Sequence, residues 1–71
     1  MSFLPNLEAE MLRCSIEEED IAQAASCSVE TVQTWFSGES EPSFGQAKAI
    51  RDKKFPAMNI EYLFQMDYSE N

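Results

Sequence analysis

Residues 21–38, with the sequence IAQAASCSVETVQTWFSG, decide the fold of this chain. Apolar residues on one face of a helix recur at positions i, i+3, i+4 and i+7. Ile21, Ala22 and Ala25 follow this spacing in a first helix, and the small side chain of Ala22 allows close approach of a second helix. The apolar residues of the second helix are Val32, Trp35 and Phe36. The spacing therefore predicts two short helices that pack at a steep angle through a tight turn.

A further helix is expected before this pair. It starts near Asn6, after Pro5, and its apolar face consists of Leu7, Met11 and Leu12. The first helix of the pair is expected to begin around Glu17, because Ser15 and Glu18 have the spacing of a capping box. Acidic residues at positions 17–20 suit the positive end of the helix dipole, which accounts for part of the acidic excess.

The second helix of the pair has clear signals at both ends. Ser28 is a preferred N-cap residue, and it predicts a helix from Val29 to about Ser37. Gly38 follows as a left-handed stop. Trp35 is expected in the core rather than on the surface.

Two more helices are predicted after the loop at residues 39–42. Ser43 and Gln46 have the spacing of a capping box for the fourth helix, and the residues expected to face inward are Phe44, Ala47 and Ile50. Asn59 is expected to cap the last helix, whose apolar face consists of Ile60, Leu63 and Phe64. The sequence thus predicts one compact, all-α domain of five helices over residues 1–71, with a core at about 6–66 and a frayed tail at 68–71.

Composition excludes several classes of function. The chain has 13 acidic and 5 basic residues, a net charge of −8, no histidine and two cysteines. Without histidine, a metal site or a histidine-based catalytic centre is not expected, so we predict neither an enzyme nor a cofactor. Cys14 and Cys27 are expected as buried, reduced thiols. No segment has the pattern of a membrane span or a signal peptide, which favours a cytoplasmic protein.

The positive charge is concentrated in residues 48–54. Within this block Lys48, Arg51 and Lys54 recur at i, i+3 and i+6 and form a basic stripe. The stripe either contacts phosphates or pairs with acidic residues of the chain itself, and the sequence leaves both interpretations open.

One set of residues has the pattern of a known family: Ile21-Ala22, the turn Ala25-Ser26-Cys27, the segment 28–32, Trp35, Gly38, Pro42-Ser43 and Tyr62-Leu63. With these residues the chain resembles, over residues 12 to 65, the lambda-repressor-like and Cro-like helix-turn-helix regulators of bacteria and phages, with the helix-turn-helix at residues 18–37. It implies a small transcriptional regulator in the cytoplasm of a bacterium or a phage-infected host.

The resemblance also implies a DNA-binding surface, because in this family the second helix of the motif reads bases in the major groove. Gln33 would bind adenine, Thr34 a thymine methyl group or a phosphate, and Glu30 a cytosine amine. Backbone N–H groups at the start of the fourth helix would hold a phosphate. The full set implied for double-stranded operator DNA is Ser28, Val29, Glu30, Gln33, Thr34, Ser37, Ser43, Phe44 and Gly45. The alternative is that the third helix merely presents a solvated face.

Two further hypotheses concern protein partners. A homodimer on a paired operator is expected, through an apolar seam of Met58, Tyr62 and Met66, although these residues could instead close the core. Four glutamates stand where the family contacts phosphates, and their charge would repel DNA: Glu18, Glu19, Glu39 and Glu41. The alternative function is therefore an acidic helix-turn-helix protein that binds a basic or repressor-like protein, as an antirepressor or a DNA mimic does.

Overall fold

A computed structural model describes residues 3–66 of the chain. In this range there are five α-helices and no strand, which confirms the predicted all-helical fold. The helices are α1 (Pro5–Cys14), α2 (Glu18–Ala25), α3 (Val29–Ser37), α4 (Phe44–Lys54) and α5 (Ile60–Leu63). The Cα radius of gyration is 11.0 Å, which matches the roughly 11 Å expected of a compact chain of this length.

The core is built around α2, which packs against both α3 and α4. Trp35 is 1% exposed, as predicted. Ala22 and Ala25 are buried where α2 meets its neighbours, and their small side chains allow this close packing. Leu4 is fully buried as well, so the core begins before residue 6, where the sequence placed its start. The other buried apolar residues are Leu7, Met11, Ile21, Ala24, Val32, Ala47, Ile50, Phe55 and Leu63.

Three of the predicted helix starts are confirmed by their hydrogen bonds. Ser28 Oγ accepts from the backbone N–H of Thr31 at 3.2 Å. Ser43 and Gln46 form the predicted capping box of α4, and Asn59 Oδ1 caps α5.

The predicted capping box of α2 is wrong. Ser15 ends α1 in the left-handed conformation, with φ 56° and its N–H bonded to carbonyls of α1, so it cannot cap the next helix. Glu17 takes that place. It is the N-cap residue of α2 and forms a capping box with Asp20, whose Oδ2 accepts from the Glu17 N–H at 3.0 Å.

Three residues expected inside lie on the surface. Leu12 is 79% exposed, because it follows the buried Met11 and one residue turns a helix by about 100°. Phe44 is 73% exposed. It is the first residue of α4 and lies N-terminal to the turn that contains the buried Ala47, so the core does not cover its side chain. Cys14, the last residue of α1, is exposed. The second cysteine, Cys27, is half-buried, and burial raises the pKa of its thiol.

The segment after α4 closes the fold against α1. Leu63 of α5 is buried, while Ile60 and Phe64 are half-buried. Met58 and Met66 pack against the core cluster, whereas Tyr62 is 42% exposed. The predicted frayed tail, residues 68–71, lies outside the described residues. None of the five helices is long and apolar enough to cross a membrane.

Candidate nucleic-acid interface

The outer face of α3 carries polar side chains of small or medium size. Ser28, Glu30, Gln33 and Ser37 are exposed, and Thr34 is half-buried. Val29 differs from the other predicted contact residues, because its half-buried side chain packs against the core cluster. The candidate reading face of α3 therefore consists of Ser28, Glu30, Gln33 and Ser37, with Thr34 at its edge.

Gln33, the predicted adenine contact, is held by the first residue of α2. Its Nε2 donates to Glu18 Oε1 at 3.2 Å. This bond bridges the two helices and leaves the Gln33 side chain exposed at the surface. A glutamine held in this way presents its amide oxygen and remaining N–H to a ligand with less rotamer freedom to lose.

Thr34 anchors the end of α3. Its hydroxyl donates to the carbonyl oxygen of Thr31 at 2.6 Å and shares a hydrogen bond of 2.7 Å with Ser40 Oγ. The carbonyl of Thr34 accepts from the backbone N–H of Glu39 at 3.0 Å. Thr34 thus positions the loop after α3. No sequence pattern indicated that Ser40 takes part.

The start of α4 keeps the features of an anion site. The capping box satisfies the N–H groups of Ser43 and Gln46, while the first N–H groups of a helix, here those of Phe44 and Gly45, have no intrahelical acceptor. A Cβ added to Gly45 would meet only Ser43 Oγ, at 4.0 Å, so the backbone there is open to a ligand.

The four glutamates of the predicted protein-binding surface do not share one groove. Glu18 and Glu19 line a groove against α1, whereas Glu41 lines a second groove, between α4 and α5, together with the exposed Phe44. Glu39 is exposed directly after α3. The four glutamates therefore do not form a single acidic patch.

The basic stripe on α4 pairs with an acid on its own helix. Lys48 Nζ lies 3.0 Å from Asp52 Oδ2, and Arg51 lies 2.9 Å from Asp52 Oδ1. The hydrogen bond from Lys48 and the charge of Arg51 lower the pKa of the Asp52 carboxyl. Of the two interpretations of the stripe, internal pairing therefore describes Lys48 and Arg51.

Comparison with known proteins gave no match: no family model, no curated protein and no solved structure is significantly similar to this chain.

Proposed function

We propose that this protein is a small transcriptional regulator that binds operator DNA with the reading face of α3. In this proposal α2 and α3 act as a helix-turn-helix, and α3 enters the major groove. Gln33 reads adenine, and Glu30 accepts from a cytosine amine. The N–H groups of Phe44 and Gly45 hold a backbone phosphate. The observation that carries the proposal is the bridge from Glu18 to Gln33, which fixes a base-reading side chain at the exposed surface.

The negative charge of the protein affects how it binds DNA. Phosphate contacts supply most of the non-specific affinity of DNA-binding proteins, and the acids around α3 oppose them. Such a protein depends on base contacts and on two half-sites, so we propose that it acts as a dimer on a paired operator. The exposed Tyr62 supplies the seam in this proposal, whereas Met58 and Met66 pack against the core cluster and contribute only the exposed part of their side chains.

The experiment measures how tightly the protein and its variants bind duplexes that the protein has enriched from a random-sequence pool. Binding is measured at about 50 mM salt, where phosphate attraction is weakly screened. Gln33→Ala removes one bidentate contact, so we expect it to weaken binding to the enriched site by about 1–3 kcal/mol, or roughly 5- to 150-fold. Gln23→Ala is the matched control, because Gln23 is an exposed glutamine on α2 outside the proposed contacts. Equal binding by Gln33→Ala and Gln23→Ala would show that Gln33 does not contact the DNA. Circular dichroism checks that helicity is unchanged.

A further inference from the structure

An open groove of about 410 Å³ lies where α1, the start of α2 and the first residue of α3 meet. Its apolar lining consists of Met11 and Leu12 of α1, Ile16 in the connection between α1 and α2, and Val29 of α3. Met11 is buried, and Ile16 and Val29 are half-buried against the core, so these three form a firm floor. The groove has the size of a typical ligand site, about 300–1,000 Å³.

Leu12 forms the edge of this groove and is 79% exposed, more than any other large apolar side chain in residues 3–66. A single exposed leucine is ordinary on a protein surface. This one stands beside an apolar floor, where a ligand would cover Leu12 and the floor together. The groove therefore offers a continuous apolar contact that the described part of the chain does not fill.

The remaining lining residues are all glutamates, and no basic residue is among them. They are Glu8, Glu17, Glu18 and Glu19. None of them takes part in the ion pairs found in residues 3–66, which join Glu10 to Arg13 and Asp52 to Lys48 and Arg51. Arg13, the basic residue nearest in sequence, is thus engaged by Glu10. An apolar floor with an unneutralised acidic border is complementary to an apolar ligand that carries positive charge.

We propose that this groove binds a basic amphipathic helix of another protein. Apolar side chains at i, i+3 or i+4 of that helix would cover Met11, Leu12, Ile16 and Val29, and flanking lysines or arginines would contact the glutamates. This is the usual way in which a groove between helices recognises a peptide. The charge excludes DNA as the occupant, because phosphates would face four carboxylates. A second copy of this chain is disfavoured because its net charge is −8 and two of its five basic residues are paired with Asp52.

The test titrates the protein with a labelled peptide of about 14 residues, roughly four helical turns, that carries leucines on one face and lysines on the other. A scrambled peptide of the same composition controls for simple charge attraction. At about 150 mM salt we expect the amphipathic peptide to bind more tightly. We also expect its largest amide chemical-shift changes at residues 11–19 and at Val29. Equal binding of both peptides, or shifts centred elsewhere, would overturn the proposal.

Two variants test the groove residues. Leu12→Ser alters an exposed side chain, and we expect it to weaken peptide binding about tenfold or more, as the loss of a buried leucine contact does. Glu19→Lys should weaken binding severalfold. Glu61→Lys is its matched control, because both are exposed glutamates in the first turn of a helix and both variants change the net charge equally. Equal losses in Glu19→Lys and Glu61→Lys, or full binding by Leu12→Ser, would contradict the site. Self-association of the free protein through the same residues, detected by sedimentation, would make a second copy the occupant and overturn the proposed partner.

Discussion

Gly38 shows how a single residue joins the end of α3 to the N-terminal segment. Its φ is 86°, in the left-handed region, and a Cβ built there would lie 2.7–2.8 Å from ring atoms of Phe3. Phe3 is itself fixed by a backbone hydrogen bond of 3.0 Å from its N–H to the carbonyl of Phe36. The glycine thus serves both as a helix stop and as space for an aromatic ring.

Gly38→Ala should therefore destabilise the protein. The left-handed conformation costs a residue with a Cβ about 1–2 kcal/mol, and displacement of the Phe3 ring adds to this cost. Gly45→Ala is the control, because that glycine lies in α4 with open space around it, and alanine there should stabilise by about 0.5 kcal/mol. Urea unfolding measures both variants. Equal stability of Gly38→Ala and the wild type would contradict the role given to Phe3.

Sequence reasoning located Gly38, Ser28 and Ser43 correctly because the signals of a cap are local. It failed at Ser15 because serine is also tolerated as a left-handed helix end, and only the actual end of α1 decides between the two roles. The ring of Phe3 beside Gly38 could not be predicted, because it depends on the path of the N-terminal segment across α3.

A cluster of polar side chains holds α1 against α5. Glu10 is only 8% exposed. Its Oε1 accepts two hydrogen bonds from Arg13, at 2.6 and 3.0 Å, and its Oε2 accepts one from the Tyr62 hydroxyl at 3.0 Å. Asn6 Nδ2 adds a bond of 2.9 Å to the Tyr62 carbonyl. The short helix α5 is thus held by side chains as well as by Leu63.

This cluster makes stability depend on pH. Hydrogen bonds from Arg13 and Tyr62 hold the pKa of the Glu10 carboxyl below its ordinary value of 4.5, although burial opposes them. A carboxyl whose pKa is lowered by folding stabilises the protein above its unfolded pKa, and this contribution is lost as the pH falls through the folded value. We therefore expect Glu10→Gln to be less stable than the wild type at neutral pH and to lose less stability on acidification below pH 4.5.

Glu8→Gln is the control for this prediction, because Glu8 is an exposed glutamate on the same helix. Urea unfolding at several pH values between neutral and acidic gives, for each variant, the dependence of the free energy of unfolding on pH. If Glu10→Gln lost stability with acid as steeply as Glu8→Gln, the cluster would not be the origin of the dependence.

The five helices were predicted from the sequence, but the buried faces of α1 and α4 were not predicted correctly. The apolar spacing on α1 and α4 is that of a helix with one buried face, and it wrongly predicted that Leu12 and Phe44 lie in the core. Leu12 and Met11 are consecutive, so α1 could bury one of them but not both, and only the packing of α1 against the rest of the fold decides which. The groove at Leu12 was missed because the expected burial of Leu12 left no open surface there, and because Val29 joins the lining residues 8–19 only in the folded chain.

The distribution of charge over the protein is expected to determine how the proposed regulator binds DNA. Glu39→Lys with Glu41→Lys changes the charge by two units at each position, from −8 to −4 in total. Beside α3 these lysines would face phosphates, so we expect tighter non-specific DNA binding. The dependence of log K on log salt should steepen by about 0.9 for each new phosphate contact.

The control for this pair is Glu8→Lys with Glu61→Lys, which changes the net charge equally but on α1 and α5. Fluorescence anisotropy against a random duplex at several salt concentrations measures both proteins. If the two pairs gained affinity equally, overall charge rather than the surroundings of α3 would govern binding.

DNA reading by α3 is tested most directly by the selection of duplexes from a random-sequence pool by the unaltered protein, at about 50 mM salt. We predict an enriched, approximately palindromic site with half-sites about one helical turn apart, to which Gln33→Ala binds roughly 5- to 150-fold more weakly. No enrichment of any sequence would contradict DNA reading by α3.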